Sequence, residues 1–532
     1  MALGSDGEPL QSHRWAQSMV GTEYGKIQYW GGSPDNARNV ALASPSRYLD
    51  LPQTLLEPLL VKYAALHGFP VRFSTQLTSV HRDEETGKII CAIEDLATTA
   101  TYEIHTKYLF GADGGRSTVA RSFGFSFNRQ PSQGVAVNIV FNADLGSIMR
   151  ERHAQLHWIM RPDTKVKFGM SPVIRMVRPW TEWMLIVVNP SEAVAEKMSP
   201  HNPELIDYIK ELIGVQTIDV EILRINGWVV RETVAEQFSN GSNVHILGDA
   251  AHRHPPAHGL GSNTSIQDAY NLGWKAAYVA KGHAGPGLLD SFSQERQPVG
   301  AKLVREANQC YREHVAVWRA LGMLADTPEE GARQINELYE DNEAGNNRRE
   351  ELFQALQEKT REGEAMGLAN NDFYVSNAVY LEDETEARPE IVGDHVTTMQ
   401  ISTYPGSRLP HAWLDLATRE KEISTHDLAG HGHFTIFYGR GGLAWAQAAK
   451  TIAKQTGIPI KAYGIGFGLD YHDVYRRWHE VRGIEEDGVI VVRPDRFVAW
   501  RAKKMIPDAK DKLSYVLDKV LSREGLSYAS LQ

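Results

Sequence analysis

The stretch VHILGDAAHRHPPAHGLGSN, residues 244–263, carries the densest set of structural signals in the chain. Its short, mainly apolar opening from Val244 to Leu247 predicts a buried strand. Gly248-Asp249 interrupts that strand, and Pro255-Pro256 stiffens the loop that follows. From the glycines onward, apolar residues recur at helical spacing. The stretch therefore predicts a strand, a rigid loop and a long helix.

This strand, loop and helix are typical of a ligand site. Glycines allow a close approach of the backbone, and the side chain of Ser262 or Asn263 can cap the helix. A free helix N-terminus presents N–H groups and positive potential to an anionic group. Asp249 follows the carboxyl end of the strand, where α/β proteins place their ligands. We interpret the stretch as a cofactor site.

The same loop contains His252, His254 and His258, and imidazole is a common zinc ligand. No cysteine lies nearby. A metal site would also leave the Gly-Asp and Gly-x-Gly-Ser-Asn elements unexplained. We therefore expect no bound metal.

Together with Asp268-Ala-x-Asn271-Leu-x-Trp274-Lys275, these residues resemble the GD motif of the single-component FAD-dependent aromatic hydroxylases, especially the phenol and chlorophenol hydroxylases. The resemblance implies that Asp249, next to Gly248, hydrogen-bonds the ribityl chain of FAD. It implies that Pro256 belongs to a loop that lines the substrate pocket. We count Pro256 among the cofactor-binding residues as well. It further implies that the pyrimidine edge of the flavin packs against Gly259, Leu260, Gly261, Ser262 and Asn263.

Two further motifs support the resemblance. A Leu-Pro-Gln sequence begins an amphipathic helical pattern, and the resemblance implies that Gln53 contacts FAD; otherwise Gln53 is a solvated residue of a first turn. Asp113-Gly114 follows an apolar strand and resembles the DG motif, which touches FAD and NAD(P)H; otherwise it is an ordinary turn. The family usually has Arg where this chain has Ala120, with Arg121 one position later.

The middle of the chain, residues 126–232, alternates apolar and polar positions in short runs. Such runs predict an antiparallel sheet with one packed face. The resemblance implies that this sheet covers the substrate above the flavin. Arg178, Trp180 and Trp183 are candidates for the pocket, although a Trp in a strand is more often a core residue.

The remaining segments carry weaker signals. Residues 1–45 have no clear hydrophobic period, Val71–Thr75 reads as a strand, and residues 327–386 read as solvated helices with a partner surface. From about residue 397 the pattern resembles a thioredoxin-type domain, with strands near 434–438, 460–463 and 489–501, and helices near 443–455 and 471–481. The chain has no Cys-x-x-Cys, so we expect no redox activity there.

These signals predict a mixed α/β and α+β fold. We expect an incomplete Rossmann-like FAD domain (1–125 and 233–325), an antiparallel-sheet substrate domain (126–232), a helical connector (326–395) and a thioredoxin-like domain (396–532). Family members begin with a Gly-x-Gly-x-x-Gly turn that holds the FAD pyrophosphate. The stretch GIGFG at 464–468 is not this turn, because its third glycine comes one residue early and it lies in the expected thioredoxin-like domain. We expect that the sequence is truncated or has lost that unit, and that it holds FAD weakly.

Composition limits the possible binding partners and the cellular compartment. A net charge of −10 argues against nucleic acid or an anionic membrane as partner. The two cysteines, Cys91 and Cys310, indicate no disulfide framework and a reducing compartment. Neither a signal-peptide pattern nor an apolar run of about 20 residues is present, so we expect a cytoplasmic protein. We also expect a homodimer.

The resemblance implies a monooxygenase that hydroxylates a phenolic ring with FAD, NAD(P)H and O₂. Two other functions stay open. One is a truncated or flavin-poor relative that acts as a binding or scaffold protein, and the other is a flavin oxidase or dehydrogenase.

Overall fold

The computed structural model describes residues 11–416 and 421–523. Residues 1–10, 417–420 and 524–532, which the expected terminal domains include, lie outside the described residues. The first third of the chain forms two strands, two helices, four strands and a short helix: β1 (Ser12–Ala16), β2 (Glu23–Gln28), α1 (Pro34–Ala43), α2 (Gln53–Leu66), β3 (Thr75–Arg82), β4 (Ile89–Asp95), β5 (Thr101–Thr106), β6 (Leu109–Gly111) and α3 (Thr118–Ser122).

Two expectations for this part are wrong. Residues 12–43 are regular rather than irregular, because β1, β2 and α1 lie there. The strand expected at Val71–Thr75 begins only at Thr75. Helix α2 starts after Pro52 as expected, yet none of its residues is buried, and the apolar side chains Leu59, Leu60, Tyr63 and Leu66 are exposed.

The middle of the chain is mostly strand. Its elements are β7 (Phe127–Arg129), β8 (Val135–Asn142), α4 (Gly146–Met149), β9 (Leu156–Ile159), β10 (Met170–Arg178), β11 (Glu182–Val188), α5 (Glu192–Ala195), α6 (Pro203–Ile213), β12 (Glu221–Val229), β13 (Thr233–Ala235), β14 (Ser239–Asn240), β15 (Val244–Ile246) and β16 (His252–Arg253).

The largest sheet has seven strands in the order β12-β8-β11-β10-β9-β1-β2. All its pairs are antiparallel except β1 with β9, which confirms the antiparallel sheet expected for this region. One face packs on the amphipathic helix α6: Phe141, Trp183 and Leu185 share a core with Ile209 and Leu212. Burial of alternate side chains on that face fixes the register. The opposite face carries Trp158 and Arg175 and is partly exposed.

Five helices follow: α7 (Gly261–Ala280), α8 (Asp290–Ala320), α9 (Pro328–Asn336), α10 (Glu343–Gly363) and α11 (Met366–Asn370). The expectation of solvated helices is wrong for one face of α10, where Lys359 and Glu362 are buried. Helices α8 and α10 pack against the β1–β2 edge of the large sheet through a core that contains Trp15, Tyr29 and Leu352.

The C-terminal part contains β17 (Trp413–Leu416), β18 (Ile423–Ser424), α12 (Thr425–Leu428), β19 (Phe434–Tyr438), α13 (Leu443–Thr456), β20 (Ile460–Gly464), β21 (Tyr471–His472), α14 (Arg477–Val481), β22 (Val489–Val492), β23 (Val498–Ala502) and α15 (Ala509–Val520). Its sheet has the order β20-β19-β22-β23, with only β19 and β20 parallel, as in the expected thioredoxin-like arrangement. The helix expected over 471–481 is wrong, since a short strand and a short helix lie there.

Within the described residues, no helix combines the length and apolar character needed to cross a bilayer.

Candidate functional site

Two parallel strands place the turns of Asp113 and Asp249 side by side. Strands β6 and β15 pair with Ile246 opposite Gly111, and the turns that follow them contact each other. Gly114 (φ +74°) and Gly248 (φ +59°) adopt left-handed conformations that suit glycine. The two acids therefore follow the carboxyl ends of adjacent parallel strands, the edge where such sheets bind ligands.

The two acids differ in their surroundings. Asp249 is exposed. The Oδ2 atom of Asp113 accepts hydrogen bonds from the backbone N–H groups of Thr118 (2.7 Å) and Val119 (3.1 Å). The Asp113 carboxylate is therefore occupied by the first turn of helix α3, whose N-cap residue is Ser117, whereas the exposed Asp249 carboxylate can accept hydrogen bonds from a ligand.

Helix α7 begins next to these turns with an uncapped N-terminus. Its N-cap residue is Leu260, and no side chain caps it, so the expectation that Ser262 or Asn263 does so is wrong. The Asn263 side chain instead donates to the Gly259 carbonyl at 2.9 Å. Since residues 262 and 263 are exposed, the first N–H groups of this 20-residue helix can bind an external acceptor.

A buried carboxylate fixes the turn that carries Asp249. Asp268, on α7, accepts the N–H of Gly248 (3.1 Å) and the Nε–H of Arg296 (2.8 Å), and its Oδ2 lies 2.8 Å from His252 Nε2. Burial by itself raises the pKa of Asp268, but Arg296 and His252 outweigh it and hold the pKa below its usual value. An ionised Asp268 thus ties strand, loop and helix together.

A second buried ionic cluster joins α7 to the C-terminal domain. Glu295 accepts hydrogen bonds from Lys275 (2.6 Å), Asn271 (2.7 Å) and both terminal nitrogens of Arg493 (2.5 and 2.8 Å). Arg493 also pairs with Asp495 at 2.5 Å. Burial lowers the pKa of Lys275 to about 8, against the opposing effect of Glu295.

The sequence identified Asp268, Asn271 and Lys275 only as part of the motif that resembles the GD motif. Their spacing places polar side chains on one stripe of α7, and that stripe is buried. The polar stripe on an otherwise apolar helix was the sequence signal from which the buried role of these residues could have been predicted. It could not identify the partners Glu295 and Arg493, because these are 198 residues apart from each other.

The three loop histidines do not converge. His252 contacts Asp268, His254 contacts the Pro255 carbonyl (2.7 Å) and His258 contacts the Glu362 carbonyl (3.0 Å). In the part of the chain that the structure describes, no group of three or more His, Cys, Asp or Glu side chains is arranged to hold a metal.

The remaining predicted residues lie at the edge of this arrangement. Gln53 begins α2 and is exposed, without a side-chain hydrogen bond among the described residues. Pro256 is exposed, and Gly259 (φ +65°) is so close to Trp30 that an added Cβ would lie 3.6 Å from its ring. Trp30 in turn stacks on Tyr48, with ring centroids 5.4 Å apart.

The candidates from the middle sheet do not face this site. Trp180 and Trp183 are buried in the core under α6, and the Trp183 indole N–H donates to the Ala143 carbonyl at 3.1 Å. Arg178 pairs with Glu182 at the strand end. Because the strands alternate their side chains, the opposite face carries Trp158 and Arg175 instead.

The arrangement fits a flavin dinucleotide. An exposed carboxylate on a glycine turn can accept hydrogen bonds from ribityl hydroxyls. An uncapped helix terminus can donate N–H groups to the flavin carbonyl edge and stabilise negative charge there.

Comparisons with known proteins agree with this fit. The family model for the FAD binding domain matches residues 11–307, and the model for the aromatic-ring hydroxylase C-terminal domain matches residues 402–523.

Among similar proteins, phenol 2-monooxygenase from Pseudomonas sp. (strain EST1001) is 40% identical over 515 residues, which cover 94% of this chain and 80% of that protein. The 2,4-dichlorophenol 6-monooxygenase of Delftia acidovorans is 36% identical over 524 residues, or 98% and 88% of the two chains. Among solved structures, the flavin-dependent monooxygenase PieE in complex with FAD and substrate superposes with a TM-score of 0.88 at 34% identity, over 97% of this chain and 87% of that one.

Proposed function

Because this chain belongs to the family of FAD-dependent aromatic-ring hydroxylases, we propose that it hydroxylates a phenolic substrate with NAD(P)H and O₂. The observation that carries this proposal is the meeting of the exposed Asp249 carboxylate with the uncapped N-terminus of α7. The proteins named phenol 2-monooxygenase and 2,4-dichlorophenol 6-monooxygenase support the choice of a phenol.

We assign the FAD-holding role to two groups of residues. Asp249 accepts from the ribityl hydroxyls, and the N–H groups at Gly261, Ser262 and Asn263 face the flavin carbonyl edge. Close backbone approach involves Gly248, Pro256, Gly259 and Leu260, and further contacts involve Gln53, Asp113 and Gly114. When bound, FAD reduced by NAD(P)H would activate O₂, which provides the oxygen atom transferred to the ring, while its other oxygen atom leaves as water. The chain orients the ring, stabilises charge at the helix terminus and keeps water out.

The domain boundaries given above are part of the same proposal, with strands β1 and β2 assigned to the large substrate-side sheet because they pair into it. We also propose that the protein is cytoplasmic and forms a homodimer.

The test uses the purified chain with added FAD. We expect weak flavin binding that excess FAD saturates and, at that excess, consumption of NADH or NADPH that rises with phenol and a hydroxylated phenol as product. Hydrogen peroxide without hydroxylated product would instead indicate an oxidase. A chain that neither binds FAD nor consumes NAD(P)H would contradict the proposal and favour the scaffold function.

A further inference from the structure

A polar cluster lies beside the aromatic pair Trp30 and Tyr48. Gln155, directly before β9, is 3% exposed, and its side-chain nitrogen donates to Asp50 Oδ2 at 2.9 Å. Arg175, on the partly exposed face of the large sheet, donates to Asp50 Oδ1 at 2.9 Å. Asp50 thus receives one donor on each oxygen.

The contact with Asp50 fixes the orientation of the Gln155 amide. An ionised carboxylate only accepts hydrogen bonds, so the amide NH₂ must face Asp50 and the amide oxygen must point away. That oxygen, Oε1, is buried and has no hydrogen-bond partner among the described residues. A buried acceptor without a donor costs free energy, and a ligand hydroxyl would remove that cost.

A phenol side chain of the protein itself already lies at this cluster. The Tyr48 ring stacks on Trp30 with an interplanar angle of 4°. Burial, and next the Asp50 carboxylate, raises the pKa of the Tyr48 hydroxyl to about 12, while the neighbouring Gln155 amide lowers it. Tyr48 belongs to a segment, residues 44–52, that contains neither helix nor strand, and such connecting segments are in general more mobile than the elements they join.

Trp30 connects the cluster to the cofactor loop. It is held in a left-handed conformation (φ +47°), and its backbone N–H donates to the Gly363 carbonyl at 3.2 Å. Bulky residues rarely adopt that conformation, and they do so where the surrounding structure enforces it, often at binding sites. From this position the ring reaches both Gly259 and Tyr48.

We propose that Gln155 binds the substrate hydroxyl, with its Oε1 accepting the phenolic O–H, and that the Tyr48 ring, whose own hydroxyl does not pair with Oε1, covers the Trp30 face until the substrate displaces it. Trp30 is then the stacking surface for that ring. Asp50 and Arg175 are positioning residues that hold the amide in one orientation. This inference rests on the proposed function and specifies its substrate as an aromatic ring with a free hydroxyl.

The main consequence is selectivity for a hydrogen-bond donor. A site that offers an unpaired acceptor to a hydroxyl rejects an analogue that lacks the proton, because the acceptor then stays unpaired. Phenol should therefore bind more tightly than methoxybenzene, which has the same ring and oxygen but cannot donate.

The test measures calorimetric binding of phenol and of methoxybenzene to the full chain, with and without FAD. We expect Gln155→Leu to weaken phenol binding about tenfold and to leave methoxybenzene binding unchanged, as for the loss of one buried hydrogen bond. Tyr48→Ala should tighten phenol binding, because the competing ring is gone. Gln28→Leu, a matched change at an exposed position of β2, should alter neither ligand.

An unchanged ratio of the phenol and methoxybenzene affinities in Gln155→Leu, or weaker phenol binding in Tyr48→Ala, would overturn the inference. If Gln155→Leu fails to fold, Asp50→Asn replaces it: an Asn can donate to Gln155, so the amide can reverse and the preference for phenol should fall. An unchanged preference for phenol over methoxybenzene in Asp50→Asn would also overturn the inference. Failure of the proposed function is a separate result, namely no FAD binding and no NAD(P)H consumption by the unaltered chain.

Discussion

The Oδ2 atom of Asp268 accepts the backbone N–H of Gly248 at 3.1 Å, across 20 residues of sequence. This bond joins helix α7 to the turn that presents Asp249. The other oxygen of the same carboxylate binds Arg296 on α8. Glu295, which precedes Arg296 in the sequence, pairs with Arg493 of the C-terminal domain. The cofactor turn and the C-terminal domain are therefore linked through two adjacent residues of one helix.

Replacing Asp249 with Ala should weaken FAD binding. The change removes a charged acceptor for hydroxyl donors, a contribution of about 1.5–3 kcal/mol, or roughly a 10- to 150-fold rise in Kd. Flavin fluorescence titration measures the Kd. Asp219→Ala, at an exposed acid elsewhere, is the matched control and should not change it. Equal Kd values for the Asp249 variant and the unaltered chain would refute the assignment.

Replacing Asp268 with Asn should destabilise the chain and weaken FAD binding together. The buried Arg296 loses one of its two carboxylates, and such losses cost about 3 kcal/mol. Thermal unfolding and flavin titration provide the two measurements. Asp394→Asn breaks an ion pair with Arg361 whose side chains are 27% and 36% exposed, and should have little effect on either. Normal flavin affinity in Asp268→Asn, despite lower stability, would mean that the hydrogen bonds of Asp268 are not needed for FAD binding.

Arg493→Met should lower the free energy of unfolding by about 3–5 kcal/mol, because Glu295 and Asp495 stay buried without their shared cation. Lys512→Met, in the same domain, removes a partly exposed pair with Asp383 and should cost only about 0–1 kcal/mol. Urea unfolding of both variants checks the difference. Similar losses in the two would mean that the Arg493 cluster contributes no more than a surface pair.

Stability should fall as the pH is lowered from about 6.5 towards 4. Burial lowers the pKa of His245 and His254 to about 4 and that of His157, His314 and His426 to about 3. Below pH 6.5 the unfolded chain therefore binds more protons than the folded chain, so stability decreases with decreasing pH. Each such histidine contributes up to about 1.4 kcal/mol per pH unit within its window.

Thermal unfolding between pH 7 and 4 tests this dependence. We expect His245→Gln to reduce the slope and His201→Gln, at an exposed position, to leave it unchanged. A flat profile in the unaltered chain over that range would contradict the expectation.

Local signals determined the elements around the cofactor turn. Glycine, proline and the hydrophobic period are properties of neighbouring residues, so they located β15, the loop and α7 to within a residue or two. The same holds for β19, α13 and β20 in the C-terminal domain. The resemblance added the cofactor, because its motifs are long enough to be specific.

Only the tertiary structure decided which distant residues meet. Strands β1 and β2 have weak local patterns and exist because β9 pairs with β1. Trp183 alternates like any strand residue, and only the position of α6 shows that it is a core residue. The partnership of Glu295 with Arg493 and the free oxygen of Gln155 have no local signature. Burying a charge or an amide is favourable only where a distant segment supplies its partner, and that information lies in the packing rather than in the neighbouring sequence.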